Sequence, residues 1–393
     1  MLAATIRVTG DIDVAEECVQ DAFARALVAW PKSGIPMKAG AWLTTVARRR
    51  AIDTLRRQTS QRRVMTNFID APEPELPVDG DLPSVADDRL RLIFTCCHPA
   101  LSPETQVALS LRLLCGLSTS EVARAFLVSE STMAARVTRG KKKISTSHIP
   151  YRVPGTNELP ARVDAVLSAI HLVFTTGHTA PSGSDLMRRD LVERALDLAR
   201  LLRKLLPDDA EVAGLLALII LTDARRRTRT NSEGALLLLS EQDRSLWDRD
   251  AIEEGEALVR EALRVRPARR FALMAAIAAL HAEARSWEET KWSEIVAIYD
   301  ALLIEWPSPV VALNRSVAVG VVDGPEAGLA ALSELTNDGQ LLGYNYLAST
   351  RADFLRRLGR SDEARAAYEE ALELSENYVE RAFLTSRLNE LGD

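Results

Sequence analysis

The chain has 393 residues, and 49 Lys and Arg against 55 Asp and Glu give it a formal net charge of −6. Hydrophobic residues make up 47% and charged residues 26%, which excludes a disordered or fibrous chain. The longest apolar runs, such as 215–221, are too short to span a membrane. Aromatic residues are only 5%, while Ala, Leu and Arg are abundant, so we expect a mostly helical protein of two or three domains.

The charge is divided unevenly along the chain. Residues 1–150 hold 20 basic and 16 acidic side chains, whereas the remainder holds 29 basic and 39 acidic ones. The first part therefore has a net charge of +4 and the rest a net charge of −10. An acidic protein is an unusual nucleic-acid binder, but this change of sign predicts separate tasks for the two parts.

Two helices are predicted within residues 11–63, separated by the proline-containing stretch 31–36. The first covers about 13–30 and the second about 39–57. Apolar side chains recur at helical spacing in both and predict the buried faces. In the first helix they are Val14, Cys18, Val19, Phe23, Ala26 and Leu27, and in the second Leu43, Val46, Ala47, Ala51 and Leu55.

Seven arginines crowd into residues 48–63, with Asp53 the only acid among them: Arg48, Arg49, Arg50, Arg56, Arg57, Arg62 and Arg63. Arg49, Asp53 and Arg56 share a helix face that lies away from the apolar stripe. A row of guanidinium groups suits a phosphate backbone. A solvated charged face is the alternative, but Asp53 can pair only with Arg49 or Arg57 at helical spacing, which favours nucleic acid.

Residues 70–88 contain seven acids, four prolines and no basic residue, and this composition predicts a linker. Helices resume at about 88–97 and 103–114. Residues 117–144 then follow the helix-turn-helix pattern, with Ser118 or Thr119 capping a short helix and Ser129 or Ser131 capping a second one. The second helix would bury its apolar positions and present a basic outer face. The buried positions are Met133, Val137 and Ile144, and the basic ones are Arg136, Arg139 and Lys143.

The amino-terminal end of this second helix, Glu130, Ser131 and Thr132, would face the floor of the major groove. An ordinary helical hairpin is the alternative interpretation of residues 117–144.

From residue 161 onward the sequence predicts helix after helix. The last stretch matches a tetratricopeptide repeat, a unit of about 34 residues. The matching positions are Ala352, Gly359, Ala364, Tyr368 and Ala371, with Tyr299 and Pro307 in an earlier partial repeat.

No enzyme motif competes with these patterns, since the sequence contains no Walker loop, GxGxxG or HExxH. The cysteines Cys18, Cys96, Cys97 and Cys115 fit a reducing compartment and predict buried thiols. A metal site at Cys96-Cys97-His98 is the minority interpretation, because adjacent cysteines on a helix diverge and no CxxC pair is present. We therefore expect neither catalysis, nor a cofactor, nor a metal.

Two DNA-contacting modules joined by an acidic linker resemble the bacterial RNA polymerase sigma factors of extracytoplasmic-function type. The segments Gln20-Asp21-Ala22-Phe23, Ala41-Trp42-Leu43 and 51–57 carry the likeness to sigma domain 2, and 117–144 carries that to domain 4. The stretches 94–99, 214–225, 307–309 and 314–315 are similar to the subgroup with a long tetratricopeptide-like tail. The chain starts at what resembles the middle of the first sigma helix, so roughly one helix of the usual amino end is absent, which implies either a misassigned start codon or weakened polymerase docking.

The resemblance implies an all-α protein with sigma domain 2 at 1–63, a linker at 64–87, sigma domain 4 at 88–147 and an α-solenoid-like domain at 161–393. It implies core RNA polymerase and promoter DNA as partners, a possible regulatory protein on the carboxyl-terminal domain, no membrane and a cytoplasmic location. Polymerase contacts are expected at Gln20, Asp21 and Phe23. Contacts to the −10 element are expected at Lys32, Lys38, Arg49, Arg50, Arg56 and Arg57, and those to the −35 element at Glu130, Ser131, Thr132, Arg136, Arg139 and Lys143.

Under this interpretation the chain is an alternative sigma factor that melts promoter DNA, and the linker carboxylates follow the basic channel of the polymerase. A helix-turn-helix activator with a tetratricopeptide-like sensor domain, which never docks as a sigma subunit, is the other hypothesis. A scaffold protein without DNA affinity is the third.

Overall fold

The computed structural model describes residues 1–65, 85–126, 128–155, 157–335, 341 and 343–392. They form α-helices joined by turns with a single two-residue strand pair, so the all-α prediction is confirmed for these ranges. The chain divides into two compact units, unit 1 at Met1–Ala169 and unit 2 at Ile170–Asp393. Within the described ranges, no helix is both long enough and apolar enough to cross a membrane.

Unit 1 begins with an element that the sequence reasoning did not predict, a short helix over Leu2–Thr9 that ends at Gly10 in the left-handed conformation. Small buried side chains of the following two helices pack against each other and build the first part of the unit. The helices of unit 1 are α1 (Leu2–Thr9), α2 (Ile12–Ser33), α3 (Ala39–Met65), α4 (Val85–Cys96), α5 (Pro103–Leu109), α6 (Thr119–Ala125) and α7 (Glu130–Thr146), with a π-helical turn at Ser110–Leu114.

Both ends of the linker predicted at 64–87 are helical, because α3 continues to Met65 and α4 begins at Val85. Residues 66–84, with most of the acidic stretch, lie outside the described residues. Asp88 is not a linker carboxylate. It is buried and pairs with Arg7 at 3.7 Å and Arg91 at 3.5 Å, so its charge is used inside the unit.

Helix α8 (Pro160–His178) spans the boundary of the two units. Unit 2 continues with α9 (Arg189–Leu205), α10 (Ala210–Asp223), α11 (Arg249–Ala262), α12 (Arg270–Glu283), α13 (Trp292–Glu305), α14 (Pro309–Val322), α15 (Pro325–Ser333), α16 (Asn345–Arg357), α17 (Ser361–Leu374) and α18 (Tyr378–Glu390). Its strands are β1 (Ser182–Gly183) and β2 (Glu376–Asn377). Each helix from α13 to α18 packs against the next in the chain, as in a helical repeat.

Helix α10 is the centre of the first half of unit 2, because its side chains are buried on every face against α9, α11 and α12. Gly214 allows the closest approach, since a Cβ there would lie 2.6 Å from the Ala272 nitrogen. Glu211 is the charged residue of this buried stretch. Its carboxylate accepts hydrogen bonds from the backbone N–H groups of Phe271 and Ala272 at 2.9 and 3.1 Å, and so satisfies the amino end of α12.

The tetratricopeptide-like pattern corresponds to the pair α16 and α17. Ala352, Ala364 and Ala371 are fully buried where the two helices meet, and Tyr368 is 2% exposed. Gly359 forms the turn with a φ of +72°, a conformation that favours glycine. The small, turn and aromatic positions therefore have the roles that the sequence predicts.

Unit 2 differs from an open solenoid, because its beginning and end are joined. Strand β1 pairs in parallel with β2. The Asn377 side-chain amide donates to the Ala180 and Asp185 carbonyls, both at 3.0 Å, and Arg387 pairs with Glu241 at 3.0 Å. The Asn377 contacts link residues 197 and 192 positions apart, and the Arg387–Glu241 pair links residues 146 positions apart. Together they close the helical array on itself.

Replacing Glu211 by alanine should lower the free energy of unfolding by about 2 to 5 kcal/mol, because two buried backbone donors lose a charged acceptor. Calorimetric unfolding of the full chain measures it. Glu254→Ala is the matched control, since Glu254 is half-exposed and pairs with Arg200 on the surface. We expect about 1 kcal/mol or less for it, and equal losses would contradict the role assigned to Glu211.

Candidate nucleic-acid and polymerase interface

Helix α2 packs on α3 through its small side chains. Asp11 caps α2 by accepting a hydrogen bond from the Val14 N–H at 3.0 Å. The buried face of α2 is formed by Ile12, Ala15, Cys18, Ala22 and Ala26. Ala22 and Ala26 meet Leu43 and Ala47 of α3, so the two helix axes approach closely.

The sequence-based assignment of Phe23 and Leu27 to this buried face is wrong. Phe23 is 49% exposed and Leu27 is 77% exposed, and Val28 beside them is 65% exposed. These three side chains form an apolar strip on the outer face of α2, which we call the docking ridge. Exposed apolar side chains grouped on one face are typical of interaction surfaces.

Two of the three predicted polymerase contacts, Gln20 and Phe23, are exposed on α2. The third, Asp21, pairs with Arg50 of α3 at 2.6 Å. One predicted polymerase contact therefore binds one predicted DNA contact inside the unit, although both side chains remain partly exposed. Leu27 and Val28 were missed because an apolar residue at helical spacing normally predicts a core position. Leu27 lies one turn from Phe23, and this spacing is the signal that could have found it.

The outer face of α3 is cationic. Arg49, Arg56 and Arg57 are exposed, and we call these three the arginine face. Among the described residues they have no ion pair, in contrast to Arg50. Lys32 near the end of α2 and Lys38 before α3 are also exposed. The loop between them presents two apolar side chains that the sequence reasoning did not single out, Ile35 and Met37, at 74% and 102% exposure.

The predicted helix-turn-helix consists of α6 and α7. Ser118 and Glu121 form a reciprocal capping box: the Ser118 hydroxyl accepts from the Glu121 N–H at 3.2 Å, and the Glu121 carboxylate accepts from the Ser118 N–H at 2.7 Å. Ser129 caps α7 by accepting from the Thr132 N–H at 3.2 Å. Of the predicted turn residues, Leu127 lies outside the described residues.

Helix α7 buries Met133, Val137 and Ile144, as predicted. Gly140 lies against α5, where a Cβ would come within 2.6 Å of Thr105 Cγ2. The opposite face of α7 is therefore left to solvent.

The residues predicted to read the −35 element differ in how exposed their side chains are and in whether those side chains already have partners within the protein. Glu130, Arg139 and Lys143 are exposed. Ser131 and Thr132 are exposed as well, but their hydroxyls lie 3.0 and 2.8 Å from the Ser129 hydroxyl within the helix cap. Arg136 is half-buried, with its guanidinium 5.4 Å from the centre of the Phe126 ring.

A neighbouring lysine of α7 connects the two parts of unit 1. The Lys141 ammonium pairs with Asp13 at 3.0 Å and with Glu16, both on α2. Burial lowers the pKa of Lys141, but hydrogen bonds and charge from Glu16 and Asp13 outweigh it, so the pKa is raised and the side chain stays charged. Arg112 adds a longer pair to Glu16, at 3.7 Å.

A second contact involves Tyr151. Its hydroxyl is 2.7 Å from the Ala3 carbonyl of α1 and 3.0 Å from the Asp88 carbonyl of α4, and Tyr151 thereby joins these two helices to the segment that follows α7. The helices that carry the docking ridge and the basic outer face of α7 are therefore held together in this conformation.

The Cys96 and Cys97 thiols are buried, and burial raises the pKa of Cys97 to about 12 and that of Cys96 well above its usual value. Both are therefore protonated at neutral pH. Within the described part of the chain, His, Cys, Asp and Glu side chains nowhere group in threes that could hold a metal ion.

Three family models match the chain. Residues 2–61 match sigma-70 region 2, residues 91–144 match sigma-70 region 4, and residues 162–263 match a family of unknown function (DUF6596). The first match covers α1 to α3 up to residue 61, and the second covers most of α4 to α7. Both sets of predicted nucleic-acid residues fall within these matches.

Proteins from two bacteria are similar to this chain. An uncharacterized protein of Rhizobium meliloti (strain 1021) is 41% identical over 395 residues, covering 100% of this chain and 93% of the relative. The probable ECF RNA polymerase sigma factor SigI of Mycobacterium tuberculosis is 30% identical over 150 residues, covering 37% of this chain and 51% of the relative. With regions 2 and 4 both present and a sigma factor among its relatives, the chain belongs to the ECF-type sigma factors, DNA-binding proteins of promoter recognition in transcription initiation.

Proposed function

We propose that this protein binds core RNA polymerase through α2 and directs it to promoters that α3 and α7 recognise. The observation that carries the proposal is the pairing of two unlike surfaces on adjacent helices. The docking ridge is apolar and exposed on α2, and the arginine face is cationic and exposed on α3. An apolar strip suits a protein partner, and a guanidinium row suits phosphates.

In this proposal each surface has one task. The docking ridge, with Gln20 at its edge, contacts the polymerase. The arginine face holds the separated −10 strand, while the loop with Lys32 and Lys38 receives an unstacked base. Ile35 and Met37 are suitably placed in that loop to cover an apolar base face. Glu130, Arg139 and Lys143 of α7 set the register at the −35 element.

The contact between α2 and α7 constrains this mechanism. The −10 and −35 elements are about 25 base pairs apart, which is roughly 85 Å of duplex at 3.4 Å per step. Helices that share the Lys141 ion pairs cannot reach both elements together. We infer that the pairs of Lys141 with Asp13 and Glu16 break when the chain engages polymerase and promoter, and that the conformation described is that of the free protein.

The remaining parts of the proposal concern location and regulation. Transcription initiation places the protein in the cytoplasm. Unit 2 would regulate initiation or receive a regulatory protein, a role that the helical repeats of its second half support through their stacked surfaces.

Transcription in a purified system tests the main proposal. The full chain with core polymerase should start transcripts at defined positions. Transcript-start mapping in cells that overexpress the protein would identify the promoters that it uses. If the protein binds duplex DNA but does not bind core polymerase, the activator hypothesis replaces the sigma-factor proposal. DNA affinity that is indifferent to replacing Arg49, Arg56, Arg136 and Arg139 would indicate a scaffold.

Leu27→Ala should weaken binding to core polymerase about fivefold or more, because an exposed leucine that becomes buried in an interface contributes about 1 to 2 kcal/mol. Its thermal stability should be unchanged, since Leu27 packs little in the free protein. Ile304→Ala is the control, as Ile304 is 87% exposed on α13. Polymerase affinity is measured by titration with labelled protein. Equal affinity of the two variants would contradict a role of the docking ridge in polymerase binding.

Arg56→Gln should weaken binding to single-stranded DNA of the −10 region uniformly across sequences and reduce the slope of log K against log salt by about 1. Fluorescence anisotropy over a salt series measures both. Arg152→Gln is the matched control, because Arg152 is also exposed in unit 1 and pairs with Glu158 at 2.9 Å. Slopes that are the same for both variants would contradict a phosphate contact at Arg56.

Lys141→Gln should tighten polymerase binding about fivefold, because it removes about 1 kcal/mol of ion pairing that covers part of α2. Lys142→Gln removes the same charge from an exposed position next to it and should leave polymerase affinity unchanged. A Lys141→Gln protein with wild-type affinity would show that the contact between α2 and α7 does not oppose docking.

A further inference from the structure

Unit 2 contains a half-open cavity of about 710 Å³ that is lined by residues of the helices α12–α14 and α16–α18, together with Leu238 and Leu239. Its size is within the range typical of small-molecule sites. The contacts that join β1 to β2 and Arg387 to Glu241 close the helical array around it. The cavity belongs to unit 2 alone and is separate from the surfaces of the proposed function.

One wall of the cavity is aromatic. The rings of Trp287 and Trp292 lie 4.4 Å apart between centres, and His281 meets Trp292 edge-on at 5.2 Å. Burial lowers the pKa of His281 to about 3, so its ring is neutral. Its Nδ1 is buried without a hydrogen-bond partner among the described residues. This wall offers flat apolar surface with an unused polar atom.

The lining also includes three arginines, Arg356, Arg357 and Arg387, whereas Asp353 is the one carboxylate among the described lining residues. Arg387 is already paired, with Glu241 and Glu390. Asp353 lies 2.6 Å from Arg356 and 4.0 Å from Arg357, so these two arginines share one carboxylate and leave a positive charge in the lining.

The Arg356 Nε is buried without a hydrogen-bond partner among the described residues, and an anion beside this guanidinium would satisfy it. We propose that the cavity of unit 2 binds a small organic anion with a planar aromatic ring, which lies against Trp287 and Trp292 while its anionic group meets Arg356 and Arg357. Aromatic and cationic side chains in the lining of one cavity are the two features that such a ligand needs.

The test uses two dyes with the same ring system, 8-anilinonaphthalene-1-sulfonate, which is an anion, and N-phenyl-1-naphthylamine, which lacks the sulfonate. Fluorescence titration of the full chain should give one saturable site, with the anion bound at least tenfold more tightly at low salt. More than one equivalent of bound dye, or equal affinity for both dyes, would overturn the proposal. The measurement needs neither polymerase nor DNA, so its outcome is independent of the proposed function.

The variant Arg357→Gln should weaken binding of the anionic dye about tenfold and leave the neutral dye unaffected, because it removes one positive charge from the lining. Arg227→Gln is the matched control, because Arg227 is exposed in the same unit and does not line the cavity. Arg356→Gln should act in the same direction, so the proposal can be tested even if Arg357→Gln does not fold. Loss of both dyes equally, or of neither, would contradict an anion site.

Discussion

The close packing of α2 on α3 is the constraint on which the first unit depends. The small side chains Ala22, Ala26 and Ala47 meet between the two helices together with Leu43, and this packing decides which positions of α2 and α3 face outward. On α2 the outward positions carry the docking ridge, and on α3 they carry the arginine face. Two surfaces of opposite character thereby lie side by side, which no single amphipathic helix could achieve.

The second determinant is where the carboxylates are used. Asp13, Glu16, Asp21 and Asp88 all pair with basic residues within unit 1. The arginine face keeps its charge available to phosphates, in the part of the chain that the structure describes. Ion pairs of the same kind, made by Lys141 with Asp13 and Glu16, hold α2 to α7 in the free protein. A surface that is used for internal ion pairs is removed from partners until those pairs break, which gives the proposed opening its physical basis.

Unit 2 differs from unit 1, because its packing depends more on buried apolar side chains than on ion pairs. Helix α10 is apolar on all faces, and Glu211 is accepted there only because its carboxylate completes the amino end of α12. Closure of the array by β1 and β2 produces an interior lined by aromatic rings and arginines. Arg356 and Arg357 of that lining share a single carboxylate, Asp353, which is the kind of deficit that an anionic ligand fills.

The sequence by itself determined the helical class, the caps at Ser118 and Ser129, the buried positions of α7 and the tetratricopeptide-like pair, because each depends on local spacing and capping chemistry. Only the tertiary structure decided which face of α2 is buried, since alanine and leucine occur at equivalent helical spacing and packing selects the small residues. It also decided that Asp21 meets Arg50, that Asp88 is buried and that Lys141 meets α2. Those contacts join residues distant in the chain, and local patterns carry no information about them.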